Sequence, residues 1–438
     1  MNSTLTFNLL IILSLLFTFL LLGLKIHFTL YGVGLIALTF LWKGDVQGFL
    51  GGLLFNCVNS YGLVALPLFI LMGEILVLSK SNVPIFKGVN KILNPFPGGM
   101  LHANIISCAI FAACSGSSSA TTLAIGGSSY PELIKAGYSR RITLGSIAAG
   151  GTLGILIPPS LMMIIYGSIS RNSVGKLFVG GIIPGTILAL LFMGWIAIAS
   201  YIFPSWVPKR GKFDKNYPKN MMDGLKDIWP IIVLVVSIMG SIYLGIATPT
   251  EAASVSVIIS FLISTFFYKN MTWQIIKESL TETVFLTSVL LACMIGAQAI
   301  SMTLSMLQIA QGISTFVASL PLGRYTIWAI LVFVYMLIGC LIDGWDLLIL
   351  TTPVFYPIII QVLHFDPIWY GVVLVVIIEM SLLTPPVGFN LFITHTIGGR
   401  KNLEDTIIGM LPFLACMIFL VILLTIYPSL VTYLPSKM

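Results

Sequence analysis

Apolar stretches separated by short polar turns make up nearly the whole chain. Ten of them fall near the ~20 residues a helix needs to cross a bilayer: 5–24, 28–43, 49–79, 141–170, 177–204, 229–248, 251–268, 281–308, 367–397 and 406–434. Two further stretches, 98–135 and 323–364, are interrupted near their middles, by Ser115-Gly116-Ser117-Ser118-Ser119 and by Asp343-Gly344-Trp345-Asp346. Each half is too short to span with ease, so both are predicted to enter the membrane and turn back as helical hairpins. Irregular backbone at that depth is tolerated only where protein buries it or where it lines a wet cavity. The two turns therefore mark a site.

The pattern repeats. Pro158-Pro159 is followed 26 residues after Pro158 by Pro184, and Pro385-Pro386 is followed 27 residues after Pro385 by Pro412. Ser115 precedes Pro158 by 43 residues and Asp343 precedes Pro385 by 42. Each half reads as a hairpin, a helix broken by Pro-Pro, and a last helix behind a Gly/Pro turn. The expected organisation is N-terminal scaffold helices over 1–60 and a first repeat over 61–204. A basic loop with central scaffold helices follows over 205–280, and the second repeat covers 281–438.

Composition and charge sharpen this picture. Of 438 residues, 58% are hydrophobic and 8% charged, against about 25% charged in an ordinary soluble domain. The class is all-α and polytopic, with about ten spanning helices and two re-entrant hairpins. The net charge of +7 sits in short loops, as membrane topology demands, with no basic stripe of the kind that binds nucleic acid. With the N-terminus outside, only Lys43, Arg171, Lys176, Arg324 and Lys437 lie on the outer face, and the other seventeen of 22 Lys and Arg lie inside. That bias sets the orientation and predicts a multi-pass inner-membrane protein with both termini periplasmic. It also puts the two hairpins on opposite faces, so the repeats are inverted. Residues 1–24 lack an early basic region and a cleavage site and read as a retained first helix. The chain ends within four residues of Leu434, so no soluble domain is expected at either end. The six cysteines have no paired spacing and read as buried apolar groups.

Inverted repeats with discontinuous helices point to a secondary transporter whose site lies at mid-membrane. Proline removes a backbone donor and clashes with the preceding turn. The Gly150–Gly154 stretch ahead of Pro158 and the Thr384–Gly388 stretch around Pro385 are therefore expected to unwind. Freed carbonyls with Ser and Thr hydroxyls suit sodium, which takes hard oxygen ligands. Candidates for the ion are Ser115, Ser117, Ser118, Gly151, Thr152, Asp343, Thr384 and Gly388. Ser119, Thr121, Pro158, Pro385, Asn390 and Thr394 are candidates for the substrate. Intramembrane acids are costly and functional by default, which favours Asp343 and Asp346. Glu74 and Glu379 are read as pairing within or between domains. No metal other than Na⁺, no cofactor and no enzymatic activity is expected. An intramembrane serine hydrolase would need a base positioned beside Ser117 or Ser118, and a channel would not need two inverted hairpins around a midplane site.

Pro67-Leu68-Phe69-Ile70-Leu71-Met72-Gly73-Glu74, Pro97-Gly98-Gly99, Ser115 to Thr121, Pro158-Pro159-Ser160 with Tyr166-Gly167, Thr248-Pro249-Thr250-Glu251-Ala252, and Leu383 to Phe392 run in order over nearly the whole chain. At these stretches the sequence resembles the large membrane subunit of tripartite ATP-independent periplasmic (TRAP) transporters. The resemblance implies an elevator-type carrier working with a small four-helix membrane subunit and a periplasmic substrate-binding protein, and importing a small organic acid on a sodium gradient. The small subunit is expected to be a separate chain. Thr121 stands where many members carry Asp, and 296–312, expected near the pocket, has no basic residue. The alternative is a stand-alone ion-coupled carboxylate symporter.

Overall fold

The computed structural model describes residues 3–42, 61–208 and 217–438, with a few isolated positions between 51 and 59. The first part of the expected span 49–79, Lys43 and Lys209–Asn216 lie outside the described residues.

Every described element is helical. α1 (Ser3–Leu21) and α2 (Ile26–Leu41) precede α3 (Ala65–Leu78) and α4 (Asn82–Leu93), which meet at a 71° bend. The first hairpin is α5 (Gly99–Ser115) with α6 (Ser118–Lys135). The first broken helix is α7 (Arg140–Leu156) with α8 (Leu161–Ser170), bent by 42°, and α9 (Val174–Ile202) closes the repeat. The centre holds α10 (Tyr217–Tyr243) and α11 (Pro249–Leu262). The second half runs α12 (Trp273–Met306), α13 (Ile309–Ser319), hairpin α14 (Arg324–Gly339) and α15 (Gly344–Pro357), broken helix α16 (Pro367–Leu383) and α17 (Phe389–Ile397), then α18 (Leu403–Ile426).

Six helices among the described residues are long and apolar enough to cross a membrane, and eight if each bent pair counts once. Leu5–Leu21, His27–Leu41 and Pro367–Leu383 are apolar but only 10–17 residues long. The expected figure of about ten spans is thus not reached on length and composition. Leu190, Val236, Phe333 and Phe419 stand at least half exposed, while Ser and Thr hydroxyls are buried within. That is the arrangement of a molecule whose solvent is hydrocarbon.

Three sequence expectations are corrected. Residues 217–228, read as part of a hydrophilic loop, form the first turns of α10. That stretch packs on α4, where Gly88 and Gly224 bring the two backbones together. Lys91 binds Asp227 at 2.6 Å across this contact and the Tyr217 hydroxyl donates to the Ile92 carbonyl at 2.9 Å. The short helices α4 and α13 were not anticipated, because their apolar positions occupy one face only. Finally, 150–154 is helical, and the break falls at 157–160. Pro158 and Pro159 deprive the carbonyls of Gly154 and Ile155 of their donors, so the helix stops after Leu156 rather than at the glycines. The second break, over 384–388, falls where expected.

The matched spacing of the two halves also holds upstream of the hairpins. The α3–α4 bend turns on Lys80 and the α12–α13 bend on Gln308, both in the left-handed region at φ 55° and 56°. Lys80 precedes Ser115 by 35 residues, and Gln308 precedes Asp343 by 35. Each repeat therefore contains a long helix, a short lateral helix, a hairpin, a broken helix and a last helix.

Candidate functional site

The two halves are interlocked. The second arm of the first hairpin, α6, packs against α17 of the second broken helix, and the second arm of the other hairpin, α15, packs against α8 of the first. Glycines make the approach close. A side chain at Gly344 of α15 would strike Met162 of α8 at 2.7 Å, and within the first half one at Gly154 of α7 would strike the Ser117 carbonyl oxygen at 2.5 Å. A tyrosine group locks α8 to the second half. The Tyr166 hydroxyl donates to the Pro367 carbonyl at 2.7 Å, and Tyr335 and Tyr370 share a hydrogen bond of 2.6 Å.

Both hairpin tips open onto one cavity of about 600 Å³. The first tip contributes Ser115, Ser117 and Ser119, and the second Asp343, Trp345 and Asp346. Gly73 and Glu74 of α3 and Leu290 and Cys293 of α12 form the facing wall, and Lys25 and His27 reach in from the α1–α2 turn. Lys25 brings a cation to a cavity whose basic residue the sequence reading did not find. The 296–312 stretch instead lends Ser301, Ser305 and Gln311 to a smaller cavity of about 280 Å³ beside Arg171.

The candidate residues sort into three groups. At the first tip, Gly116 takes φ 58° and reverses the chain between α5 and α6. Ser115 Oγ and Thr121 Oγ1 lie 2.7 Å apart, and Thr121 donates to the Ser117 carbonyl at 2.8 Å. The Ser117 side chain caps α6 by accepting from Ala120 N at 3.4 Å, as Ser, Thr, Asn and Asp do at helix starts. These groups form one hydroxyl-rich knot.

Behind the tip lies a second group. Ser118 Oγ donates within reach of the Gly151 carbonyl and a Glu379 carboxylate oxygen, each 3.0 Å away. Asn390 Nδ2 donates to Ser118 Oγ and, at 3.4 Å, to the same Glu379 oxygen. Asn390 thus belongs with the first hairpin, although in sequence it follows the second helix break. Thr394 donates to the Asn390 carbonyl at 2.8 Å. Thr152 bonds back into its own helix at the Ala149 carbonyl, 2.7 Å away.

The third group surrounds the second tip. Asp343 begins α15 with no side-chain cap bond, and Asp346 Oδ1 lies 3.9 Å from Cys293 Sγ. Gly388 N donates to the Cys340 carbonyl at 3.3 Å, tying the helix break to the hairpin, while Thr384 Oγ1 donates back to the Met380 carbonyl at 2.8 Å. Pro158 is buried against Gly181 of α9, and Pro385 is partly buried at the second break. Both Pro-Pro bonds are cis. Glu379, expected to pair with a neighbouring domain, joins the cluster of Ser118 and Asn390. Its apolar neighbours gave no hint of the polar cluster it joins.

Comparisons with known proteins agree with this architecture. Residues 13–430 match the family described as tripartite ATP-independent periplasmic transporter, DctM component. The chain is 32% identical over 383 residues to the C4-dicarboxylate TRAP transporter large permease protein DctM of Pseudomonas aeruginosa, covering 87% of this chain and 88% of that protein. It is 32% identical over 435 residues to the protein of the same description from Vibrio cholerae, covering 92% and 93%. The isethionate TRAP transporter permease protein DctMQ of Oleidesulfovibrio alaskensis is 28% identical over 403 residues, which are 91% of this chain but 62% of that one. In fold, the chain resembles the YdaH transporter of Alcanivorax borkumensis, with a TM-score of 0.62 at 11% identity over 88% of this chain and 90% of that structure.

Proposed function

The chain belongs to the DctM family of tripartite ATP-independent periplasmic transporters, as a large permease, and from that premise we propose that it imports a small organic acid on a sodium gradient. One observation carries the reading. Two hairpin tips from equivalent parts of the chain share a single cavity, and the second arm of each hairpin packs on the other half's broken helix. Such a site, built at the junction of two broken-helix repeats, is the architecture of alternating-access carriers.

The oxygens at the two tips are the proposed sodium ligands. At the first tip these are Ser115, Ser117, Ser118 and the Gly151 carbonyl, and at the second Asp343, Thr384 and the backbone around Gly388. Sodium bound there would fix both tips and so raise the affinity for substrate between them, a linkage of free energies. An anionic substrate would meet the hydroxyls of Ser117 and Ser119, with Lys25 supplying charge from the facing wall. Hairpins and broken helices form the moving body, and α2, α3, α10, α11 and α12 the scaffold. The charge bias supports an inner-membrane location with both termini periplasmic and the two hairpins entering from opposite faces.

Partners follow from the family. A small membrane subunit is proposed to cover the scaffold, and a periplasmic binding protein to deliver the substrate. The test is uptake by proteoliposomes containing this chain and its small subunit, with and without binding protein and with the sodium gradient imposed or collapsed. Uptake requiring all three supports the proposal. Uptake by this chain alone would support the stand-alone symporter, and uptake indifferent to sodium would refute the coupling ion.

A further inference from the structure

We infer that Glu379 and Asn390 hold a cation behind the first hairpin tip, sharing Ser118 and the Gly151 carbonyl with the oxygens proposed there for sodium and adding a carboxylate and an amide oxygen to them. This rests on the reading of the chain as an ion-coupled carrier. Both side chains have zero exposure. One Glu379 oxygen accepts from Ser118 and Asn390, but the other, Oε1, has no hydrogen-bond partner, and neither has Asn390 Oδ1. Two acceptor oxygens on touching side chains are thus left bare in a dry interior, where an unmet acceptor is expensive and an unmet charge far more so.

Among the described residues, no positive side chain pairs with Glu379, and the ion pairs engage Asp223, Asp227 and Asp405 instead. The charged group that acts on Glu379 from the surrounding helices is another acid, Asp343 of the second hairpin. The tyrosines of α8, α14 and α16 bond to one another and to Pro367 instead. A carboxylate buried without a protein cation must carry a bound one. The ligands offered are oxygens: Glu379 Oε1, Asn390 Oδ1, Ser118 Oγ and the Gly151 carbonyl. A proton or a sodium ion fits this set.

The placement makes occupancy consequential. Ser118 begins α6, Gly151 lies on α7, Glu379 on α16 and Asn390 on α17. The cluster therefore joins the first hairpin to both broken helices. A cation held there binds the hairpin to the second half, and its release sets two bare acceptors and a charge against that seating.

The test uses the complete transporter in proteoliposomes. Glu379→Gln is neutral and places an amide donor where the cation sat, so it copies the occupied state but cannot release the ion. Exchange of substrate across the membrane needs only the occupied carrier, whereas net uptake needs release. The expected result is net uptake reduced at least about tenfold with exchange kept within about twofold, the scale of an ordinary coupling between sites. A pH gradient at equal sodium drives wild-type uptake if the cation is a proton. Sodium bound per purified protein falls by one in the variant if it is sodium. Wild-type net uptake in Glu379→Gln, or equal loss of uptake and exchange in a folded variant, would overturn the assignment.

A second readout does not depend on transport. A hydrophobic carbodiimide should label Glu379 in the purified wild-type protein, and sodium or rising pH should slow the labelling. Labelling that answers to neither, or no labelling under any condition, also overturns the assignment. If the wild type neither takes up nor exchanges substrate under any gradient, the carrier reading fails, and labelling still decides whether Glu379 binds a cation.

Discussion

Gly154→Ala tests whether the seat of the first hairpin governs ion coupling. The added Cβ would stand 2.5 Å from the Ser117 carbonyl oxygen, 2.8 Å from Thr121 Oγ1 and 2.9 Å from the Ser117 carbonyl carbon. Two of these atoms are backbone and cannot swing aside. The tip must retreat by roughly 1 Å to restore ordinary contact distances. Inserting a methyl into a packed site of this kind costs about 1–3 kcal/mol. The better helix propensity of Ala returns up to about 1 kcal/mol, but to the helix in every state and not to the seated tip. If the cost falls on the seated state alone, the apparent sodium affinity should weaken by about 5- to 150-fold. The assay is the sodium activation curve of uptake in proteoliposomes, read beside thermal unfolding of the purified protein. Gly127→Ala is the control, because a Cβ there meets nothing within 4 Å. It should leave the curve unchanged. A Gly154→Ala curve that coincides with the wild type and with the control would refute the claim that tip seating and ion binding are linked.

Three other predictions follow from contacts described above. Ser118→Ala strips an acceptor from Asn390 and a donor from Glu379, and should destabilise the protein by about 1–3 kcal/mol in thermal unfolding, the cost of stranding buried polar groups; an unchanged melting temperature would contradict the network. Lys25→Gln should raise the half-saturating concentration of an organic-acid substrate roughly tenfold, about 1.4 kcal/mol, with little change in sodium activation, and a change confined to sodium would remove Lys25 from the substrate's surroundings. Arg141→Ala breaks a 2.7 Å pair with Asp405 in which Arg141 is 44% exposed. Its effect on unfolding should be small and should shrink with added salt.

The hairpins and broken helices were legible because polar and Pro-rich interruptions stand out against long apolar runs. The spacing of those interruptions then revealed the repeat. The lateral helices were not legible, because α4 carries Lys87 and Lys91 and buries only Ile85, Phe86, Gly88 and Val89 among its central residues. A one-sided apolar stripe of that length looks like loop until a partner is known, and its partner is the equally mixed start of α10. The break near Pro158 falls later than its flanking glycines suggest. The missing donors of two prolines act four residues upstream, on Gly154 and Ile155, and leave Gly150 to Leu153 free to stay helical and pack closely. The cluster around Glu379 was hidden for a different reason. Its partners lie 261 residues away at Ser118 and 11 away at Asn390, and only tertiary structure joins them.

The exchange of partners between α6 and α17, and between α15 and α8, has a bearing on how such a protein can be assembled. Neither half of the polypeptide owns a finished pocket, since each lends the other a wall. A ribosome that has released only the first 204 residues has therefore made a fragment with an open seam, which must wait in the bilayer for the rest of the chain. Splitting the gene between the repeats should yield two products that are inert apart and recover only when made together.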